Sequence, residues 1–107
     1  MAPEPLWREV LGEQLRALRQ EQSETLVETA ARAGISPQYL SEVERGRKEP
    51  SSEMIAALAG ALGTTLGELA EQVAGELRAQ RQQVQISLVQ RSASRVRQAP
   101  TLLALAA

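Results

Sequence analysis

The side chains that carry most enzyme chemistry are missing here, since the 107 residues include no Cys, no His, no Asp and no Asn. Thiolate attack, imidazole proton transfer, a Ser-His relay, a disulfide and an ordinary zinc site are therefore excluded. An enzyme would have to run on Glu alone, so none is expected, and neither is a cofactor. What remains is hydrogen bonding and charge, concentrated in Pro37-Gln38-Tyr39-Leu40-Ser41-Glu42-Val43-Glu44-Arg45-Gly46-Arg47-Lys48. Gln38 presents a donor and an acceptor together, which pairs with an adenine edge, and Glu42, one helical turn later, is acceptor-only and suits the amino group of cytosine. Arg45, Arg47 and Lys48 then set three cations where a chain leaving a DNA groove would meet phosphates. In an arbitrary helix Gln38 and Glu42 would be a solvated face, and the cations an ordinary charged loop. The surroundings have to decide.

Charge is segregated along the chain. The formal net charge is -1, yet residues 1–77 hold all 13 Glu against seven bases and sum to -6, while the remainder carries only Arg78, Arg81, Arg91, Arg95 and Arg97. An acidic body binds DNA weakly on its own, so affinity must come from a local cationic patch. Arg45, Arg47 and Lys48 are that patch. The first fourteen residues have neither a basic start nor an apolar signal core, and no apolar stretch approaches a membrane span. A cytoplasmic protein with no membrane partner is expected.

These residues must be positioned by helices. The apolar residues are mostly Ala, Leu and Val, Trp7 and Tyr39 are the only aromatics, and such a mixture favours an aliphatic all-α core. Trp7, Leu11, Leu15 and Leu18 define the stripe of a first helix over 6–21. Thr25 and Glu28 form a capping box that opens a second helix, which ends at Ala33 before Gly34. Ser36 caps a third with Pro37 at its first position, Ile35 stapling on Leu40, and Gly46 ending it. Ser51 caps a fourth, with Ile55, Leu58, Ala59 and Leu62 on one face and Gly63 after it. Thr65 and Glu68 box the start of a fifth, along which Leu66, Leu69, Val73 and Leu77 share a side. Leu66 and Leu69 are expected to bury within their own domain. Val84, Ile86 and Leu88 alternate as a strand would, while Val84 and Leu88 also suit a helix, so periodicity leaves that stretch open. From Arg91 to Pro100 the composition is that of a flexible linker.

Two short capped helices separated by Gly34-Ile35-Ser36, inside a bundle, are the layout of a helix-turn-helix. The chain resembles the phage-repressor-like family of such proteins, also called the xenobiotic-response-element family, in Leu11-Gly12, Leu15-Arg16, Leu18-Arg19, Ala33-Gly34, Ser36, Tyr39-Leu40-Ser41, Glu44-Arg45-Gly46 and Pro50. The run from Tyr39 to Glu49 with Ser51-Ser52-Glu53 is similar, more narrowly, to the actinobacterial Clp-gene regulators. The expected fold is a five-helix helix-turn-helix domain over 6–72, an extended helix over 73–90 that serves dimerisation, and a flexible tail over 91–107.

The resemblance implies a regulator that binds a palindromic double-stranded DNA operator as a homodimer and activates Clp protease genes, with RNA polymerase and the Clp protease as further partners. It assigns base readout to Pro37, Gln38 and Glu42 with Ser41 beside them, and phosphate contact to Thr25, Arg45, Arg47 and Lys48. Tyr39 is a phosphate contact or a ring covering the helix junction, the two readings standing equal. Leu26 departs from the family, which often has a phosphate-contacting Gln there. Arg19 and Glu44, beside the stripe positions Leu18 and Val43, are expected to form a partly buried ion pair. Val73, Leu77 and Val84 extend past a four-helix core and are expected to meet a second subunit. The end of the sequence, with Leu105, Ala106 and Ala107, resembles the tag that trans-translation adds and is expected to be a degradation signal. The competing reading is a protein-interaction module, an antitoxin or a co-activator bridge, that keeps this fold without reading DNA.

Overall fold

Local capping chemistry sets the helix boundaries in the computed structural model, which describes residues 6–98. The elements are α1 (Trp7–Glu21), α2 (Leu26–Ala33), α3 (Pro37–Glu44), α4 (Ser52–Ala61) and α5 (Leu66–Gln98), and every regular element among the described residues is helical. Thr25 accepts from the Glu28 amide while the Glu28 carboxylate accepts from the Thr25 amide, both at 3.1 Å, the reciprocal box the spacing predicts. Ser36 and Ser51 accept from the amides of Tyr39 and Met54 in the same way. Thr65 accepts from the Glu68 amide, but the Glu68 carboxylate accepts from the Thr64 hydroxyl, so no returning contact to Thr65 is made there. At the end of α3, Gly46 has a φ of 73°, its amide donates to Val43 and that of Arg47 to Glu42. This double return of the chain ends the helix and reverses its course before Arg47 and Lys48.

The chain divides into two compact units, Met1–Leu77 and Arg78–Ala107. In the first, Val10, Leu11 and Leu15 of α1 meet Ala30 of α2, Leu40 and Val43 of α3, Ile55, Leu58 and Ala59 of α4, Leu62, and Leu69 and Val73 of α5. Trp7, Leu18, Ile35 and Tyr39 pack partly buried against this core. Within it α3 lies against α1 and α2, and α2 against α4. The second unit is helical through Gln98, so the undecided stretch around Val84 is helix, not strand.

Three expectations need correction. Val73 is fully buried in its own subunit, so it is core and offers no surface to a partner; a one-sided stripe reveals that a face is covered but not by what. Leu66, in the first turn of α5, is exposed at 37% instead of buried. The helix also runs past Arg91, where a linker was expected, because Ser, Ala, Arg and Gln are compatible with a continuing helix and no Gly or Pro interrupts them before Pro100. The degradation-signal residues Leu105, Ala106 and Ala107 lie outside the described residues. Among the described residues no helix is long and apolar enough to cross a membrane.

Candidate nucleic-acid interface

The geometry of α3 starts from Gly12. A side chain on this α1 residue would run into the carbonyl oxygen of Val43 and come within 2.6 Å of that of Glu44. Glycine inside a helix costs about 1 kcal/mol relative to alanine, and here its absent Cβ is what allows the end of α3 to lie directly on α1. Arg19 fastens the same junction. Its Nε donates to Glu44 Oε2 at 2.8 Å and its Nη2 to Glu44 Oε1 at 2.9 Å, a bidentate fork. The hydrogen bond that Arg19 donates to Glu44, more than the charge of Glu44, holds the guanidinium above its ordinary pKa against the opposing effect of burial. Arg19 Nη1 also donates to the Glu24 carbonyl. The expected ion pair is present, and it ties α1, the α1–α2 turn and α3 together.

Several contacts of this frame have no signal in the sequence. Arg8 Nε donates to the Gly46 carbonyl at 3.0 Å, securing the turn after α3 to the start of α1. Gln22 donates to the Leu62 carbonyl at 2.7 Å. The Glu24 carboxylate accepts from the buried Thr29 hydroxyl at 2.6 Å and pairs with Arg32. The Arg8 and Gln22 contacts each join residues about 40 apart, with no periodicity that could announce them.

On this frame α3 turns a polar side outward. Pro37 and Gln38 are exposed, Ser41 and Glu42 are half-buried, and Arg45, Arg47 and Lys48 are exposed at its far end. Thr25 is exposed at the start of α2, where its hydroxyl also caps the helix. Among the described residues Arg45 and Arg47 make no ion pair. Lys48 does, with Glu42 at 3.0 Å, and its Nζ also stands 5.7 Å from the centre of the Tyr39 ring. Two residues expected to meet DNA separately, Glu42 and Lys48, thus neutralise each other in this structure. Tyr39 packs partly buried against the core, and Lys48 stands over the face of its ring. Leu77 is half-buried against the core, whereas Val84, in the second unit, is exposed.

The arrangement can do three things chemically. It presents a short helix with a hydrogen-bonding face, it flanks that face with cations at one end, and it fixes the helix on a buried ionic joint. Among the described residues no group of His, Cys, Asp and Glu could hold a metal ion.

Comparison with known proteins gives the same outline. The helix-turn-helix family profile HTH_3 matches residues 15–69. The transcriptional regulator ClgR of Mycobacterium tuberculosis is 54% identical over 57 residues, covering 53% of this chain and 51% of that protein. The chain thus spans about half the length of that relative. The crystal structure of the clp gene regulator ClgR from Corynebacterium glutamicum superposes with a TM-score of 0.73 at 45% identity, covering 81% of this chain and 93% of that one. The restriction-modification controller protein C.AhdI from Aeromonas hydrophila follows the same fold with a TM-score of 0.56 at 32% identity, over 58% of this chain and 94% of that one.

Proposed function

Because this chain belongs to the phage-repressor-like helix-turn-helix family, we propose that it regulates transcription by binding a specific double-stranded DNA sequence, with α3 lying in the major groove. The observation that carries this reading is the exposed polar face of α3, flanked by Arg45 and Arg47 and fixed by the Arg19–Glu44 fork. Gln38, at the end of the helix that enters the groove, reads a base pair, with Pro37, Ser41 and Glu42 lining the same face. Arg45, Arg47 and Lys48 hold phosphates, as do Thr25 and the Tyr39 hydroxyl. Glu42 keeps a carboxylate near DNA at low electrostatic cost because Lys48 sits on it. With three donors, the Lys48 ammonium holds a phosphate while it stays beside Glu42.

One subunit covers one half-site, so the active form is a homodimer on a two-fold symmetric operator, with half-sites about 34 Å apart. Leu77 and Val84, seven residues apart on α5, line its seam, and the exposed Leu88 extends it. The name of the Corynebacterium glutamicum relative, clp gene regulator, supports Clp protease genes as the regulated targets, with activation through RNA polymerase in the cytoplasm. The test is selection from a pool of randomised duplexes by the full chain. The expected product is a two-fold symmetric motif. A pool that stays random, together with specific capture of a protein, would favour the interaction module.

A further inference from the structure

A cleft of about 190 Å³ opens beside the base-reading face, between α1, the first residue of α2 and the end of α3. Arg16, Arg19, Leu26, Ser41, Glu44 and Arg45 line it. Three guanidinium groups thus face one carboxylate, and that carboxylate is already held at both oxygens by Arg19. The two remaining cations, Arg16 and Arg45, are exposed, and among the described residues neither has an acidic partner. Like charges converging on a cleft are unfavourable until an anion enters it, and the planar donors of arginine match the oxygens of a phosphate.

We propose that this cleft seats one phosphodiester group of the DNA backbone, with Arg16 gripping it from α1, Arg45 from the turn after α3, and the Ser41 hydroxyl as a neutral donor. Leu26 forms the apolar wall, which limits water around the anion and strengthens both charge contacts. The Arg19–Glu44 fork is the floor that fixes the spacing between the two jaws. Because Arg16 belongs to α1 and Arg45 follows α3, a phosphate held by both locks the angle at which α3 enters the groove. The assignment rests on the DNA-binding reading above and gives Arg16 a role that its place on an exposed helix surface does not announce.

The test is a salt series of anisotropy isotherms for the full chain on two probes, a random-sequence duplex and a duplex selected by the chain from a random pool. Arg16→Ala is expected to weaken both alike and to lower the salt slope by about 0.9 for each phosphate it no longer neutralises, which makes the gain in affinity from 1 M to 0.1 M salt about eightfold smaller. Arg16→Lys keeps the charge and should keep the slope. Arg32→Ala, which removes an arginine already paired with Glu24, should change neither. Parental affinity and slope for Arg16→Ala, with Gln38→Ala still losing the selected site, would overturn the seat and leave the regulator reading intact. If inorganic phosphate raises the melting temperature of the parent but not of Arg16→Ala, and duplex binding ignores the substitution, the cleft is a free-anion site and the backbone assignment is wrong. A parent that binds neither duplex overturns the regulator reading and the seat together.

Discussion

Truncating Glu44 to alanine isolates the joint on which the orientation of α3 depends. In the parent, the Arg19 and Glu44 side chains are only 13% and 6% exposed, and two short hydrogen bonds join them. Glu44→Ala leaves the guanidinium in place with one protein acceptor, the Glu24 carbonyl at 2.9 Å. Orphaning a fully buried charge costs about 3 to 5 kcal/mol. Arg19 keeps that acceptor and borders an open cleft, so the lower end applies, about 3 kcal/mol. For a domain of this size the loss lowers Tm by roughly 12 to 24 °C. The guanidinium pKa is raised in the folded state, so the pair's contribution is complete below the ordinary guanidinium range and fades only as pH rises through the raised value; the deficit should be the same at pH 6 and pH 9. The assay is thermal unfolding followed by circular dichroism, backed by urea titration. Arg19→Met with Glu44→Leu should recover most of the loss, because an apolar pair needs no partner charges. If Glu44→Ala melts within about 4 °C of the parent, equivalent to about 1 kcal/mol, the joint is a solvated contact and cannot set the position of α3.

Other substitutions probe the remaining supports. Gly12→Ala should gain about 1 kcal/mol of helix propensity and lose about 3 in forcing backbone carbonyls of α3 off α1, a net destabilisation of about 2 kcal/mol by urea titration; a variant as stable as the parent would contradict the close approach. The Glu28 carboxyl is held below its ordinary pKa, first by the Thr25 amide and then by the Thr25 hydroxyl contact, so its contribution exists above roughly pH 4.3 and disappears as pH falls through the lowered value. The gap in Tm between parent and Glu28→Ala should therefore close in acid, and a gap independent of pH would show that the carboxylate is not its source. Leu77→Glu and Val84→Glu should shift sedimentation from dimer to monomer and weaken binding to a symmetric duplex; two variants that sediment as the parent does would move the seam elsewhere.

Local chemistry made most of the fold legible in the sequence. Thr25 with Glu28, Ser36 before Pro37, and the left-handed Gly34, Gly46 and Gly63 each act on residues a few positions away, so their pattern is readable along the chain. The Arg19–Glu44 pair joins residues 25 apart, and it was legible only through the family resemblance and the stripe neighbours Leu18 and Val43. Arg8 on Gly46, Gln22 on Leu62 and the Arg16–Arg45 cleft had no comparable cue, because one polar contact across a fold leaves no period. Leu66 and Val73 show the limit from the other side. Both belong to one apolar stripe, yet the first is exposed and the second sealed, since spacing along α5 cannot say where the other helices end.

If α3 reads bases through Gln38 while Arg47 holds the backbone, paired isotherms of the two variants must separate the two roles. Parent, Gln38→Ala and Arg47→Ala would be titrated across a salt series onto a duplex selected by the parent, its single-base variants and random DNA. Gln38→Ala should lose roughly 1 to 3 kcal/mol on the selected duplex, flatten preference at one base pair per half-site and leave random-DNA binding nearly unchanged. Arg47→Ala should weaken binding to all the duplexes alike and reduce the salt slope by about one unit for each phosphate left without its cation. The same pattern from both variants, or an undiminished base preference in Gln38→Ala, would mean that α3 does not divide reading and holding between these residues.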